Sequence, residues 1–102
     1  MGPTMTAFNV VKFKVKAGQE DAFLAAHAGD KANWPGIVRG SIIKTGERSY
    51  CLIGEWPSVE AIGAARQSMI ETLNSFRALL DDQGEGKGIT DAVSGEVALT
   101  IK

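Results

Sequence analysis

The first clear pattern in the chain is AFNVVKFKV, Ala7–Val15. Asn9, Val11, Phe13 and Val15 fall on one side of it and Phe8, Val10, Lys12 and Lys14 on the other. Side chains alternate across a strand, so the run predicts a strand whose more apolar face carries one amide. KAGQ turns the chain, and GQEDAFLAAHAGDKAN predicts a short helix with a stripe of Ala22, Phe23, Ala26 and His27. Glu20 and Asp21 suit the positive end of its dipole, and Gly29 weakens its last turn. Trp34-Pro35-Gly36 stops that helix, because proline holds the preceding residue extended and glycine permits the turn.

Two β-rich runs follow, residues 37–45 and 48–56, separated by Gly46-Glu47 and therefore predicted to form a hairpin. In the second, Tyr50, Leu52, Gly54 and Trp56 share one face, and Cys51, Ile53 and Glu55 the other. Ser58, with Pro57 before it and Glu60 after it, has the position of an N-cap. Beyond it Ile62, Ala65, Met69, Leu73, Phe76 and Leu80 recur at steps of three and four, a helical stripe about five turns long. DDQGEGKGITD, residues 81–91, reads as a polar loop, either a lid or an arm between subunits, with glycines at 84, 86 and 88 adding backbone freedom. VSGEVALTI predicts a closing strand in which Val97, Leu99 and Ile101 alternate with Glu96, Ala98 and Thr100.

The order β-α-β-β-α-β is the split βαβ, or ferredoxin-like, plan: an α+β fold with both helices on one face of a four-stranded antiparallel sheet. Residues 7–102 form its single domain, and residues 1–6 read as an N-terminal tail or cloning remnant. The other sheet face also carries apolar side chains, and a chain of 102 residues has no third layer to cover it. Pairing with a second copy, sheet to sheet, is the expected remedy.

Charge and composition narrow the function. Eleven basic against twelve acidic residues give a net charge of −1, unlike the basic footprint of a nucleic-acid binder. RSYCLIGE in the third strand superficially matches an RNA-recognition consensus on this topology, but Leu52 stands where a stacking aromatic belongs and Glu55 is acidic. No apolar run approaches the ~20 residues that span a bilayer. The start of the chain lacks the basic and apolar regions of a signal peptide, so a cytoplasmic protein that binds neither nucleic acid nor membrane is expected. One cysteine and one histidine leave no disulfide and no Cys- or His-rich metal site, and neither nucleotide-binding glycine motifs nor a G-x-S-x-G elbow occur. If the protein is an enzyme, its substrate or oxygen must bring much of the reactivity.

Seven residues are candidates for a site. His27 titrates near neutrality and is either a general base or a helix-edge histidine. Asn9, an amide on an apolar strand face, either polarises a substrate carbonyl or anion or ties down a strand end. Trp34 and Trp56 flank the hairpin and either stack on a planar ligand or pack. Tyr50 offers a phenol as donor or proton relay, or packs across the strands. Arg39 and Arg66 bind a carboxylate or enolate, or pair at the surface. Cys51, with no activating neighbour in sequence, reads as a buried inert thiol.

Several stretches together resemble the antibiotic-biosynthesis-monooxygenase-like family of dimeric α+β barrels. KVKAGQEDAF is similar to that family's first β-α junction, PGIVRGSIIK to its second strand, and EWPSVEA to its junction into the long helix. GEGKGITDAVSG resembles a glycine-rich loop of some members. The resemblance implies a homodimer closed through its sheet faces and a pocket between sheet and helices. It also implies, for some members, oxygenation of a small aromatic or polyketide-like substrate without a cofactor. In that chemistry the protein removes a proton and stabilises a carbanion, which then reduces oxygen. Many members carry a histidine in an EA-x-x-x-H-x-x-S pattern. Here the stretch reads EAIGAARQS, so Ala65 stands in its place while Ser68 fits. A haem-degrading relative implies a histidine further along this helix, where MIETLNSF has none, which argues against an axially ligated haem. The missing second-helix histidine keeps open a second reading, a dimer that binds a small ligand without turning it over.

Overall fold

A computed structural model describes residues 6–82 and 88–102. Most of the N-terminal tail and the centre of the 81–91 loop, residues 1–5 and 83–87, lie outside the described residues, and with them the choice between lid and inter-subunit arm. The first strand, β1 (Ala7–Val15), has the bounds its alternation predicts, and Ala7, Asn9, Phe13 and Val15 are buried on one side. β1 pairs antiparallel with β3 (Ser49–Trp56), in a register that sets Asn9 opposite Gly54 and Val11 opposite Leu52. β3 pairs in turn with β2 (Arg39–Gly46) across a hairpin. At the hairpin turn Arg48 adopts φ 57°, and its guanidinium holds Val15 O at 3.0 Å and Asp81 Oδ2 at 3.1 Å.

The sheet order is β2-β3-β1, with the outer position beside β1 filled by two segments. β4 (Leu80–Asp81) pairs with Lys14 and Val15, and β5 (Thr90–Glu96) covers β1 from Ala7 to Phe13. The expected four lanes are present, with the fourth built from two pieces of chain.

Three boundaries differ from the sequence pattern. The first helix, α1 (Glu20–Ala25), spans six residues rather than sixteen. Turns follow it, and Gly29 has φ +64°, a left-handed conformation that no α-helix can pass through. The long helix, α2 (Val59–Phe76), is capped as expected, Ser58 Oγ accepting the Ala61 N–H at 3.1 Å. It ends at Phe76; a single 3₁₀ turn, Arg77–Leu79, then delivers Leu80 to the sheet instead of to the helical stripe. The last strand lies earlier than expected, since β5 ends at Glu96. Beyond it the Val97 N–H donates to Thr6 O at 2.8 Å, and Leu99 and Ile101 are 79% and 94% exposed.

The core fills the space between the inner sheet face and the helices. Trp56, Phe23, Val15 and Ala65 are fully buried there, and Ile62, Met69 and Leu73 of α2 pack against them. On the outer sheet face Val10 stands between Ile53 and Val93, and Cys51 stands beside Ile43. Cys51 is buried among its strand neighbours, whereas Val93 is 66% and Ile43 45% exposed. Among the described residues, no helix is long and apolar enough to cross a membrane.

Candidate functional site

A cavity of about 360 Å³ opens between α2 and the β1-β5 half of the sheet. Its existence follows from side-chain size. Opposite Asn9, Val11 and Phe13 the inner face of β5 presents only Ser94, Ala92 and Thr90, which are too small to meet α2. Ile62, Gly63, Arg66, Met69, Ile70 and Leu73 of α2 form the other wall. Phe13, His27 and Phe76 close one end, with Trp34 and Leu52 beside them.

Asn9 is 6% exposed and lies directly on Trp56, whose indole Nε1 donates to Asn9 Oδ1 at 2.7 Å. An indole N–H can only donate, so this bond fixes which end of the amide is oxygen. Asn9 Nδ2 is therefore the end left for the cavity, where its protein neighbour is the Met69 thioether at 3.8 Å, a weak acceptor. A stronger acceptor on a ligand would displace it. Trp56 is not a cavity wall; it is the group that orients the amide.

His27 lies just beyond the end of α1, and its Nδ1 is 3.0 Å from Phe23 O. A carbonyl only accepts, so Nδ1 carries the proton and Nε2 is the basic nitrogen. The ring packs among Phe13, Phe23 and Phe76, 4.6 Å from Phe76 centroid to centroid. Burial among these rings holds the imidazole pKa below its ordinary 6.5, outweighing the opposite pull of the bond to Phe23. The histidine is neutral at pH 7.

Trp34 donates from Nε1 to Thr72 Oγ1 at 2.9 Å, which pins it against α2 as a wall of the cavity. Arg66 stands at the rim on an exposed stretch of α2. Thus Asn9, His27, Trp34 and Arg66 meet around one space, with Trp56 behind it. Tyr50 and Arg39 lie apart from it. The Tyr50 hydroxyl donates to Glu20 Oε2, whose carboxylate also pairs with Lys44 at 3.1 Å. Its loss of that bond on ionisation raises the phenol pKa. Arg39 pairs with Glu55 at 3.3 Å and lines a neighbouring surface groove that shares His27, Trp34 and Leu52 with the cavity.

Sequence pattern does not single out Gly63, Met69 and Ile70 on α2 as cavity residues, nor Thr90, Ala92 and Ser94 on β5. The apolar stripe of α2 is legible; nothing in the β5 segment signals a cavity, since small polar residues also make a loop. Ala65 is fully buried in the core rather than at the cavity, so the ionisable groups of this space are His27 and Arg66. Among the described residues no group of three His, Cys, Asp or Glu side chains could hold a metal.

No family model matches the sequence, and no curated protein matches it. Solved structures do. The chain superposes on a protein from Bordetella bronchiseptica, provisionally named an antibiotic biosynthesis monooxygenase, with a TM-score of 0.73 and 16% identity, covering 93% of this chain and 99% of that one. It matches SnoaB, a cofactor-independent oxygenase from Streptomyces nogalater, with a TM-score of 0.66 and 21% identity over 95% and 97% of the two chains. A conserved protein from Methanosarcina mazei Go1 matches with a TM-score of 0.71 and 13% identity over 90% and 92%. The chain therefore has the ferredoxin-like α+β fold of the antibiotic-biosynthesis-monooxygenase type.

Proposed function

We propose that this protein is a cofactor-independent oxygenase acting on a small, electron-rich aromatic or polyketide-like molecule held in the cavity beneath α2. The observation that carries the reading is the pairing, around one apolar space, of a fixed amide donor and a neutral imidazole. His27 Nε2 takes a proton from an acidic C–H or phenol of the substrate, and Asn9 Nδ2–H bonds the oxygen on which negative charge develops. The resulting carbanion passes its electrons to dioxygen and forms a carbon-bound peroxide. Where the substrate carbon is an anthrone-like CH₂, the peroxide takes up a proton. Loss of the remaining C–H proton with cleavage of the O–O bond then expels water and leaves a carbonyl, so that CH₂ and O₂ become C=O and H₂O. Trp34 and the ring cluster wall the inner end of the site and support a planar ligand.

The same reading includes a homodimer closed through the outer sheet face, supported by exposed Ile43 and Val93 and by the projecting tail with Leu99 and Ile101. It is of a cytoplasmic protein, in keeping with a single cysteine and no disulfide. The decisive experiment is oxygen uptake with anthrone. Uptake that is lost in Asn9→Ala and in His27→Ala supports the roles of donor and base, and uptake unchanged in both overturns them. Saturable binding without any uptake would favour the second reading, a ligand-binding dimer, for which the absence of a histidine at Ala65 speaks.

A further inference from the structure

Resting on the reading of the cavity as an aromatic site, we propose that Arg66 makes it selective for aromatic molecules that carry an anionic group. Four arginines occur in the chain, and three are engaged. Arg39 pairs with Glu55 at 3.3 Å and Arg48 with Asp81 at 3.1 Å, and Arg77 donates to Asn74 Oδ1 at 2.9 Å. Among the described residues Arg66 makes no hydrogen bond or ion pair. Its own helix offers none, because the positions three and four away are Ile62, Gly63, Met69 and Ile70. Nor does the cavity, whose lining holds no aspartate or glutamate.

An otherwise uncharged, mostly apolar concavity with one guanidinium at its rim concentrates positive potential there. Guanidinium groups meet carboxylates through two parallel N–H donors, a geometry that orients as well as attracts. One turn before Arg66, a side chain added at Gly63 would meet nothing within 4 Å, so the rim beside the guanidinium is open. A ligand can thus keep its anionic group at the rim against Arg66 while its ring system reaches Asn9 and His27. The volume of about 360 Å³ suits a molecule of two or three fused rings, near the small end of ligand sites. The substrate class that follows is an aromatic carboxylate or similarly charged aromatic, its acid group distant from the reacting carbon.

The test is calorimetric titration of the full chain with 2-naphthoate and with its neutral isostere 2-naphthamide, at low and high salt. The expected result is about tenfold tighter binding of the carboxylate, weakening with salt, as one partly exposed charge-assisted pair provides. Arg66→Gln, a change at an exposed position, should bring 2-naphthoate to the level of the amide and leave 2-naphthamide unchanged. Arg66→Lys should retain part of the preference. Equal affinity of the two probes in the unaltered protein, or a preference that survives in Arg66→Gln, would overturn the inference while leaving the aromatic cavity intact. Binding of neither probe would overturn the cavity reading and this inference together. Carboxylate selectivity without oxygen uptake from anthrone would support the inference and remove only the oxygenase chemistry.

Discussion

Gly54 stands directly across from Asn9 in the β1-β3 register, and a Cβ at Gly54 would lie 2.4 Å from Asn9 Oδ1 and 2.9 Å from Trp56 Nε1. The bare backbone at this position makes room for the bond between indole and amide. Gly54→Ala is expected to displace the Asn9 side chain and to destabilise the fold by about 1–3 kcal/mol, the range of local overpacking. Urea denaturation followed by tryptophan fluorescence measures the loss. Oxygen uptake from anthrone should fall with it, because a displaced amide no longer presents Nδ2 to the cavity.

Removing the donor leaves a different signature. Trp56→Phe keeps most of the packing but strands Asn9 Oδ1 without its partner in a buried site, at a cost of roughly 1–3 kcal/mol beyond the lost packing. Asn9→Leu alone strands the indole N–H in the same way. The double variant removes both polar ends, so its cost should be clearly less than the sum of the two single costs, a coupling that a double-mutant cycle reads directly. Additive costs would mean that the two groups do not depend on each other.

Sequence foretells this arrangement only where side-chain size and pattern carry the information. The alternation in Ala7–Val15 reports burial on one face, and there it locates the strand and singles out Asn9. Ser58 and the stripe through Ile62, Met69 and Leu73 work in the same way for α2. The pattern fails where burial is not what a residue does. Thr90, Ala92 and Ser94 are small and border a cavity, so Thr90 falls within the stretch that reads as loop and the strand pattern is legible only from Val93 onward. The apolar alternation of Val97, Leu99 and Ile101 looks like the closing strand, although Leu99 and Ile101 find no cover among the described residues. His27 and Arg66 are legible as residue types, but only the packing of Phe13, Phe23 and Phe76 shows why the histidine is neutral.

Tyr50 should be separable from the chemistry of the cavity. Its hydroxyl is held by Glu20, so Tyr50→Phe is expected to leave 2-naphthoate binding and oxygen uptake close to those of the unaltered protein. The bond to Glu20 raises the phenol pKa above its ordinary 10.0. Spectrophotometric titration should find that midpoint moving back toward 10.0 in Glu20→Gln. A large loss of uptake in Tyr50→Phe would instead connect the Tyr50–Glu20–Lys44 cluster to the reaction.

His27 predicts a pH dependence with a definite sign. Its folded-state pKa lies below the ordinary 6.5, so on acidification the unfolded chain takes up this proton first. The contribution to stability is complete above about pH 6.5 and is lost progressively as pH falls from there through the lower folded value. The difference in unfolding free energy between the unaltered protein and His27→Gln, measured by urea from pH 7.5 to 5, should therefore shrink toward the acid end. Glu20, whose pKa is lowered by Tyr50 and Lys44, acts below the ordinary 4.5 and so does not imitate this effect. Oxygen uptake should show an acid limb below 6.5 as the base is protonated, and a limb centred above it would assign the base to another group.

The outer face of the sheet gives the last prediction. Val93 is 66% exposed and lies in one row with Val10 and Ile53 on the outer face of the sheet, although the residue also borders the cavity. A lysine there costs a monomer little, since an exposed β5 position makes few contacts to lose. Across a two-fold sheet-to-sheet interface the same change appears twice, once in each copy, and buries a charge near its own image. Val93→Lys is therefore expected to halve the mass seen by light scattering at micromolar concentration while leaving the unfolding curve of the isolated subunit unchanged. If the unaltered protein already has the mass of one chain, sheet-to-sheet closure is wrong. If the lysine variant keeps the doubled mass, the copies meet through another surface. The exposed tail carrying Leu99 and Ile101 is the alternative contact, and truncation after Glu96 would then be the change that separates them.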